Sequence, residues 1–164
     1  MNPFPRCPLT TGTSEAALPL AKAFRIAYPV GLFLCVAWPL ALQLMLGTVI
    51  QRGATPPPAG VAQQLGYTFS GLTFLLAFFV TWRWGRTRKA FHAAGTALQP
   101  AILLRETLLY AALLEFTSVF GVVYYALGGP LAERYSRSFI ALTTVMFFVF
   151  VPRLDAWRRA AEGE

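Results

Sequence analysis

The chain has 164 residues, 56% of them hydrophobic and 13% charged, with a net charge of +7. A soluble domain carries about 25% charged residues, so the polar surface here is too small to cover a globule in water, and a soluble domain is excluded. The basic balance would suit nucleic acid in a soluble protein. Here, however, the cations sit between apolar blocks, where they set topology and meet anionic lipid headgroups, and no nucleic-acid partner is expected.

Residues 1–25 read as an N-terminal cytoplasmic tail bearing Arg6, Lys22 and Arg25. The apolar block after Arg25 is too long for a cleaved signal segment. Cys7 lies in the tail and Cys35 in the first apolar block, so neither a disulfide nor lipidation is expected. The first span is 26–50, about 37 Å as a helix, enough to cross a ~30 Å hydrocarbon layer with tilt. Pro39 should kink it. Gly31, Cys35, Pro39, Gln43 and Gly47 recur every four residues, a small or weakly polar stripe of the kind that lets helices approach in lipid. Residues 51–60, with three consecutive prolines, cannot continue a helix and read as an outer loop.

The second span is 61–82. Gln63, Gly66, Ser70, Thr73, Ala77 and Thr81 form a second small, polar stripe, opposite a lipid-suited Phe and Leu face. Residues 83–106 read as a basic loop with Arg83, Arg86, Arg88 and Lys89, flanked by Trp82 and Trp84 at belt positions. Cationic loops stay on the cytoplasmic side, which puts both termini inside. The loop has two readings, a topogenic lipid-facing segment or a docking surface for an acidic partner or headgroup. The third span is 107–127, stopped by Gly128, Gly129 and Pro130. The fourth is 133–152, with Arg134 and Arg137 snorkelling outward and Arg153 anchoring the inner end. Asp155, Glu162 and Glu164 read as a solvated tail. Phe78, Phe79, Phe147, Phe148 and Phe150 read as lipid-facing bulk.

Glu115 is the residue that the physics singles out. A charged side chain at mid-membrane costs about 2.5–3.5 kcal/mol on insertion scales. Burial favours the neutral acid, which needs a hydrogen-bond partner. Ala111, Ala112 and Ser118 lie one turn away and leave room. Gln43, Ser70, Thr73, Thr143 and Thr144 are candidates from other spans, with Gln43 and the Ser70/Thr73 stripe favoured. Glu115, Ser118, Gln43, Ser70 and Thr73 are therefore the candidate ion-binding set. The competing reading is a protonated structural acid that joins helices by hydrogen bonding. His92 is the lone histidine and has no ligand set around it, so no metal is expected. Nor is any catalytic residue or cofactor, since no nucleophile–base arrangement or phosphate loop is visible.

The segment 112–129, ALLEFTSVFGVVYYALGG, resembles the Glu-bearing second helix of c-type proteolipid subunits of rotary ATPases. In those, a membrane-centred Glu is followed six residues later by Gly and then branched apolar residues; here Glu115, Gly121, Val122 and Val123 match. Gln99-Pro100 in the basic loop is similar to the loop that precedes the proteolipid helix. The resemblance implies H⁺ or Na⁺ binding at Glu115. Proteolipids of that type have two helices and a glycine-packed first helix, whereas 61–82 has only Gly66 and Gly71. More broadly, the chain resembles a group of small, uncharacterised bacterial four-helix membrane proteins, through the Ala-Leu-x-Glu run and a Val151-Pro152-Arg153 ending. The expectation is an all-α integral membrane four-helix bundle in a bacterial inner membrane, with N-in/C-in topology. It is expected to be a non-enzymatic structural or accessory subunit beside other membrane subunits or copies of itself, or else a proton- or sodium-binding protein.

Overall fold

The apolar blocks fold as helices because a backbone in lipid must satisfy its own hydrogen bonds. A computed structural model describes residues 12–50, 57–127 and 132–163. In chain order the elements are α1 (Gly12–Leu32), a π-helical turn (Phe33–Ala37), α2 (Trp38–Met45), α3 (Ala59–Ala93), α4 (Gln99–Ala126), α5 (Ala132–Phe150) and α6 (Leu154–Glu162). Four helical stretches are long and apolar enough to cross a membrane: Pro19–Met45, Gly60–Ala93, Gln99–Ala126 and Ala132–Glu162. The chain is thus a multi-pass helical membrane protein.

The bundle is organised around α4, which packs most closely against α5 and α1 and less against α3. Lipid tails are as apolar as leucine, so close fit rather than water exclusion holds spans together. Two glycines make that fit possible. A Cβ at Gly121 would lie 2.8 Å from both Ile140 Cγ1 and the Ser136 carbonyl oxygen on α5. A Cβ at Gly31 would lie 2.8 Å from Phe147 Cε2 and 3.4 Å from Ala111 Cβ. The stripe expected on the first span therefore faces inward at Gly31, Cys35 and Pro39, is half-buried at Gln43, and emerges at Gly47. Phe147 is fully buried beneath Gly31, not lipid-facing as expected, while Phe78 and Phe148 are exposed as expected.

Several boundaries differ from the sequence expectation. Part of the expected N-terminal tail is helical: α1 starts at Gly12, and Leu20, Ala23 and Ala27 continue its buried face. The helix ends at Met45 rather than Ile50, in a turn whose amides at Val49 and Ile50 both return to the Met45 carbonyl. The expected basic loop 83–106 is mostly helix. The inward period of α3 runs on through Val80, Thr87 and Phe91, and Arg and Lys are good helix formers. Only 94–98 separates α3 from α4. There Gln99 Nε2 donates to the Phe91 and Ala94 carbonyls at 3.3 Å, closing the end of α3, and Pro100 sits in the first turn of α4, where its missing N–H costs nothing. The triple-proline loop and the Gly128–Pro130 stop lie partly or wholly outside the described residues, as does Cys7.

The C-terminal segment is not a solvated tail. The chain breaks at 151–153 and re-forms as α6, whose Trp157 and Ala160 are buried against Leu20, Ala23, Ala27, Phe91 and Leu103. Trp157 meets Trp84 edge-on at 4.7 Å and Phe91 at 4.9 Å between ring centroids. His92 Nδ1 lies 3.2 Å from the Ala161 carbonyl oxygen, a further tie between α3 and α6. Asp155 and Glu162 do face outward.

Gly121→Val should overpack the α4–α5 contact, because the nearest obstacle is backbone. A loss of about 1–3 kcal/mol is expected, read as a lower thermal unfolding midpoint in detergent micelles. A midpoint equal to the wild type would contradict the close approach.

Candidate functional site

Pro39 generates the local geometry of the first span. Proline has no N–H, so the carbonyl four residues earlier, that of Cys35, lacks its α-helical donor, and the ring crowds it. The helix responds with a π turn, in which the Trp38 amide reaches back to the Phe33 carbonyl. Such turns often mark functional places. Thr144 Oγ1 on α5 donates to the Cys35 carbonyl at 2.8 Å. Cys35 Sγ in turn donates to the Ala111 carbonyl on α4 at 3.3 Å. One irregular turn is thereby tied to both neighbouring helices.

Glu115 is one helical turn beyond Ala111 on α4. Its side chain is half-buried, yet both carboxyl oxygens are buried and make no hydrogen bond with any described residue. Cys35 and Ser118 are its polar neighbours. Ser118, however, directs its hydroxyl proton to Thr143 Oγ1 at 2.9 Å and does not reach the carboxyl in hydrogen-bond geometry. Beside Glu115 on α4, Ala112, Phe116 and Val119 are exposed, so the acid borders an outward-facing ridge.

The other candidates have different partners. Gln43 Nε2 donates to the Arg137 carbonyl at 3.3 Å, toward the far end of the bundle. Ser70 and Thr73 each donate to a carbonyl of their own helix, Gly66 and Phe69, both at 2.9 Å. Of the five-residue candidate set, only Glu115 and Ser118 are thus brought together. Back-bonding explains Ser70 and Thr73: a hydroxyl in an apolar helix finds the carbonyl four residues earlier without help from another helix.

A second cluster lies where α3 and α4 meet near their loop. Glu106 is 1% exposed. Arg83 grips it with two bonds, Nε to Oε2 at 2.7 Å and Nη2 to Oε1 at 2.8 Å. Arg105 Nη2 adds 2.9 Å to Oε1. Thr87 Oγ1 is at 3.5 Å from Oε2 and receives the Tyr110 hydroxyl proton at 3.3 Å. Arg83 is therefore committed inward, a correction to its place among the outward-facing basic residues. Arg86, Arg88 and Lys89 are exposed, and Arg86 lies 4.1 Å over the Trp82 ring. The sequence did hold a signal for this pair, since Glu106 and Glu115 are the only acids between Glu15 and Glu133. A lone acid in a field of cations invites a partner.

No three-residue group of His, Cys, Asp or Glu suited to a metal ion occurs among the described residues. Comparison with known protein families, with curated proteins and with solved structures gives no match.

Arg83→Met should leave Glu106 buried with only the exposed Arg105 beside it, at a cost of about 3 kcal/mol. The double change Arg83→Met/Glu106→Leu removes both charges and should recover most of that loss. Equal unfolding midpoints for Arg83→Met and the wild type would contradict the role given to the pair.

Proposed function

We propose that this protein is a non-enzymatic structural subunit of a membrane assembly, formed with copies of itself or with other membrane subunits. Glu115 carries this reading. A carboxyl group held in an apolar span with no hydrogen bond to any described residue calls for a partner from outside the described chain. The exposed ridge of Ala112, Phe116 and Val119 gives a second helix a way to approach. α3 supports the same reading, since only 11% of its most apolar stretch is buried, against 44% for α4. Its outward Phe and Leu face forms, with Phe116 and Phe120 of α4, an apolar cleft of about 470 Å³.

The orientation follows from charge. Lys22, Arg25, Arg86, Arg88, Lys89 and Arg153 gather at the end where α3 meets α4 and α6, whereas Arg134 and Arg137 stand at the other, with Glu133 paired to Arg137 at 2.8 Å. Under the positive-inside rule the basic end, and with it both termini, would face the cytoplasm of a cell whose inner membrane holds the chain.

The same unpartnered carboxyl favours a second reading, in which Glu115 takes up H⁺ or Na⁺. The part of the proteolipid-like segment that lies on α4 would then be the working helix, with Ser118 beside Glu115.

Light scattering in mild detergent separates these outcomes. The assembly reading expects a mass above that of one 18.0 kDa chain. Glu115→Leu should shift that mass toward the monomer, while Glu115→Gln, which keeps a hydrogen-bonding head, should hold it. A monomeric wild type with no associated protein, or an unchanged Glu115→Leu, would sink the assembly reading. For the ion reading, dicyclohexylcarbodiimide, which attacks protonated acids in apolar sites, should modify Glu115, with protection by sodium in the sodium-binding version. Absence of labelling at about pH 6 would end the proton-binding version.

A further inference from the structure

The junction of α3, α5 and α6 holds a cleft of about 470 Å³ that neither reading of Glu115 uses. Its walls have two chemistries. Trp84 of α3 and Phe148 and Val149 of α5 supply apolar surface, and Arg153 and Arg159, before and within α6, supply charge. The division follows from the break at 151–153. The break ends an apolar span and turns the chain into a short amphipathic helix, so hydrocarbon-facing and water-facing residues meet within one turn. Buried Trp157 pins α6, which fixes the rim of the cleft in place.

We propose that this cleft seats an anionic phospholipid, its phosphate between Arg153 and Arg159 and its upper acyl chain along Phe148 and Val149. Charge complementarity supports that occupant. Among the described residues, neither Arg153 nor Arg159 makes an ion pair. Asp155 also lines the cleft, with its carboxylate 3.7 Å from the exposed Arg158, so the lining holds two arginines against one acid. Guanidinium groups suit phosphate because they donate two parallel hydrogen bonds. The first turn of α6 carries no side-chain cap; its Ala156 and Trp157 amides return to the Arg153 carbonyl, and the positive end of the helix dipole, opposed in part by Asp155, lies beside the two arginines. The apolar wall continues outward, with Val149 66% and Phe148 45% exposed, along the track that an acyl chain would follow into the bilayer. A zwitterionic lipid would bring its own cation to the rim and meet repulsion there.

The site is independent of what meets Glu115, and its test does not depend on the oligomeric state. In native mass spectrometry of the detergent-solubilised chain, phosphatidylglycerol should be retained roughly tenfold more than phosphatidylcholine. Arg153→Ala/Arg159→Ala should abolish that preference. Arg134→Ala/Arg137→Ala, at the other end of the bundle, should keep it. Excess inorganic phosphate should not displace the lipid, because the apolar wall holds the chain. A measurement on the wild type alone guards against a variant that fails to fold. In nanodiscs, phosphatidylglycerol brominated high on its acyl chain should quench tryptophan fluorescence more than equally brominated phosphatidylcholine, through Trp84. Equal retention and equal quenching by the two lipids would overturn the proposal. So would a preference that survives Arg153→Ala/Arg159→Ala, or one lost on Arg86→Ala/Arg88→Ala instead.

Discussion

Inside an apolar layer every polar atom must find a partner in the protein, because no water is there to supply one. Most of this bundle's tertiary structure follows from that constraint. The Cys35 carbonyl, stripped of its donor by Pro39, takes one from Thr144. The Cys35 thiol takes the Ala111 carbonyl. Ser118 and Thr143 join α4 to α5, and Tyr124 reaches from α4 to the Ala62 carbonyl on α3 at 3.2 Å. Each bond is modest, on the order of 1 kcal/mol net. Each fixes a register, however, since breaking it leaves a polar group stranded. Gly31 and Gly121 let the backbones come close enough for these bonds to form.

The two ends of the bundle obey different physics. Near Trp84 and Trp157 the helices reach the interface, and water exclusion contributes again, at about 1.5–3 kcal/mol for a large apolar side chain buried from water. This is where α6 folds back, and where a buried ion pair, Arg83 with Glu106, is held by five hydrogen-bonding contacts rather than left to lipid. A pair of this kind gives specificity more than stability: it sets how the end of α3 meets the start of α4. The opposite end has fewer charges and relies on the Gln43 contact with the Arg137 carbonyl and on apolar packing around Leu42, Leu46, Tyr125 and Ile140.

Four apolar helices were legible in the sequence, because a span of sufficient length and low charge has few other fates. The inward face of the first span was legible too, since the recurrence of Gly31, Cys35 and Pro39 is a packing signal. Helix ends were less so. Arg83, Arg86, Arg88 and Lys89 look like a loop when charge is taken to mean water, yet the inward positions Thr87 and Phe91 keep α3 helical beyond the apolar run. Trp157 was hidden for a similar reason: among arginines and acids, one aromatic residue does not announce a buried helix. Glu115 was legible as an anomaly, but its surroundings were not. Periodicity shows which residues share a face, not which hydroxyls will satisfy themselves on their own helix, as Ser70 and Thr73 do.

Glu115 is thus the one mid-span acid that the described chain does not satisfy, and its need for an external partner is the central claim. Infrared spectroscopy of the carboxyl stretch addresses it directly, with the Glu115 band assigned by subtracting the Glu115→Gln spectrum. In a bilayer at high protein density, the band should lie at the frequency of a hydrogen-bonded acid or of an ion-bound carboxylate. In a harsher detergent, at a dilution where light scattering shows the chain stripped to a monomer, it should move to that of a free acid. A free-acid band in both conditions would contradict the claim, because the carboxyl would then remain without a partner even in the membrane.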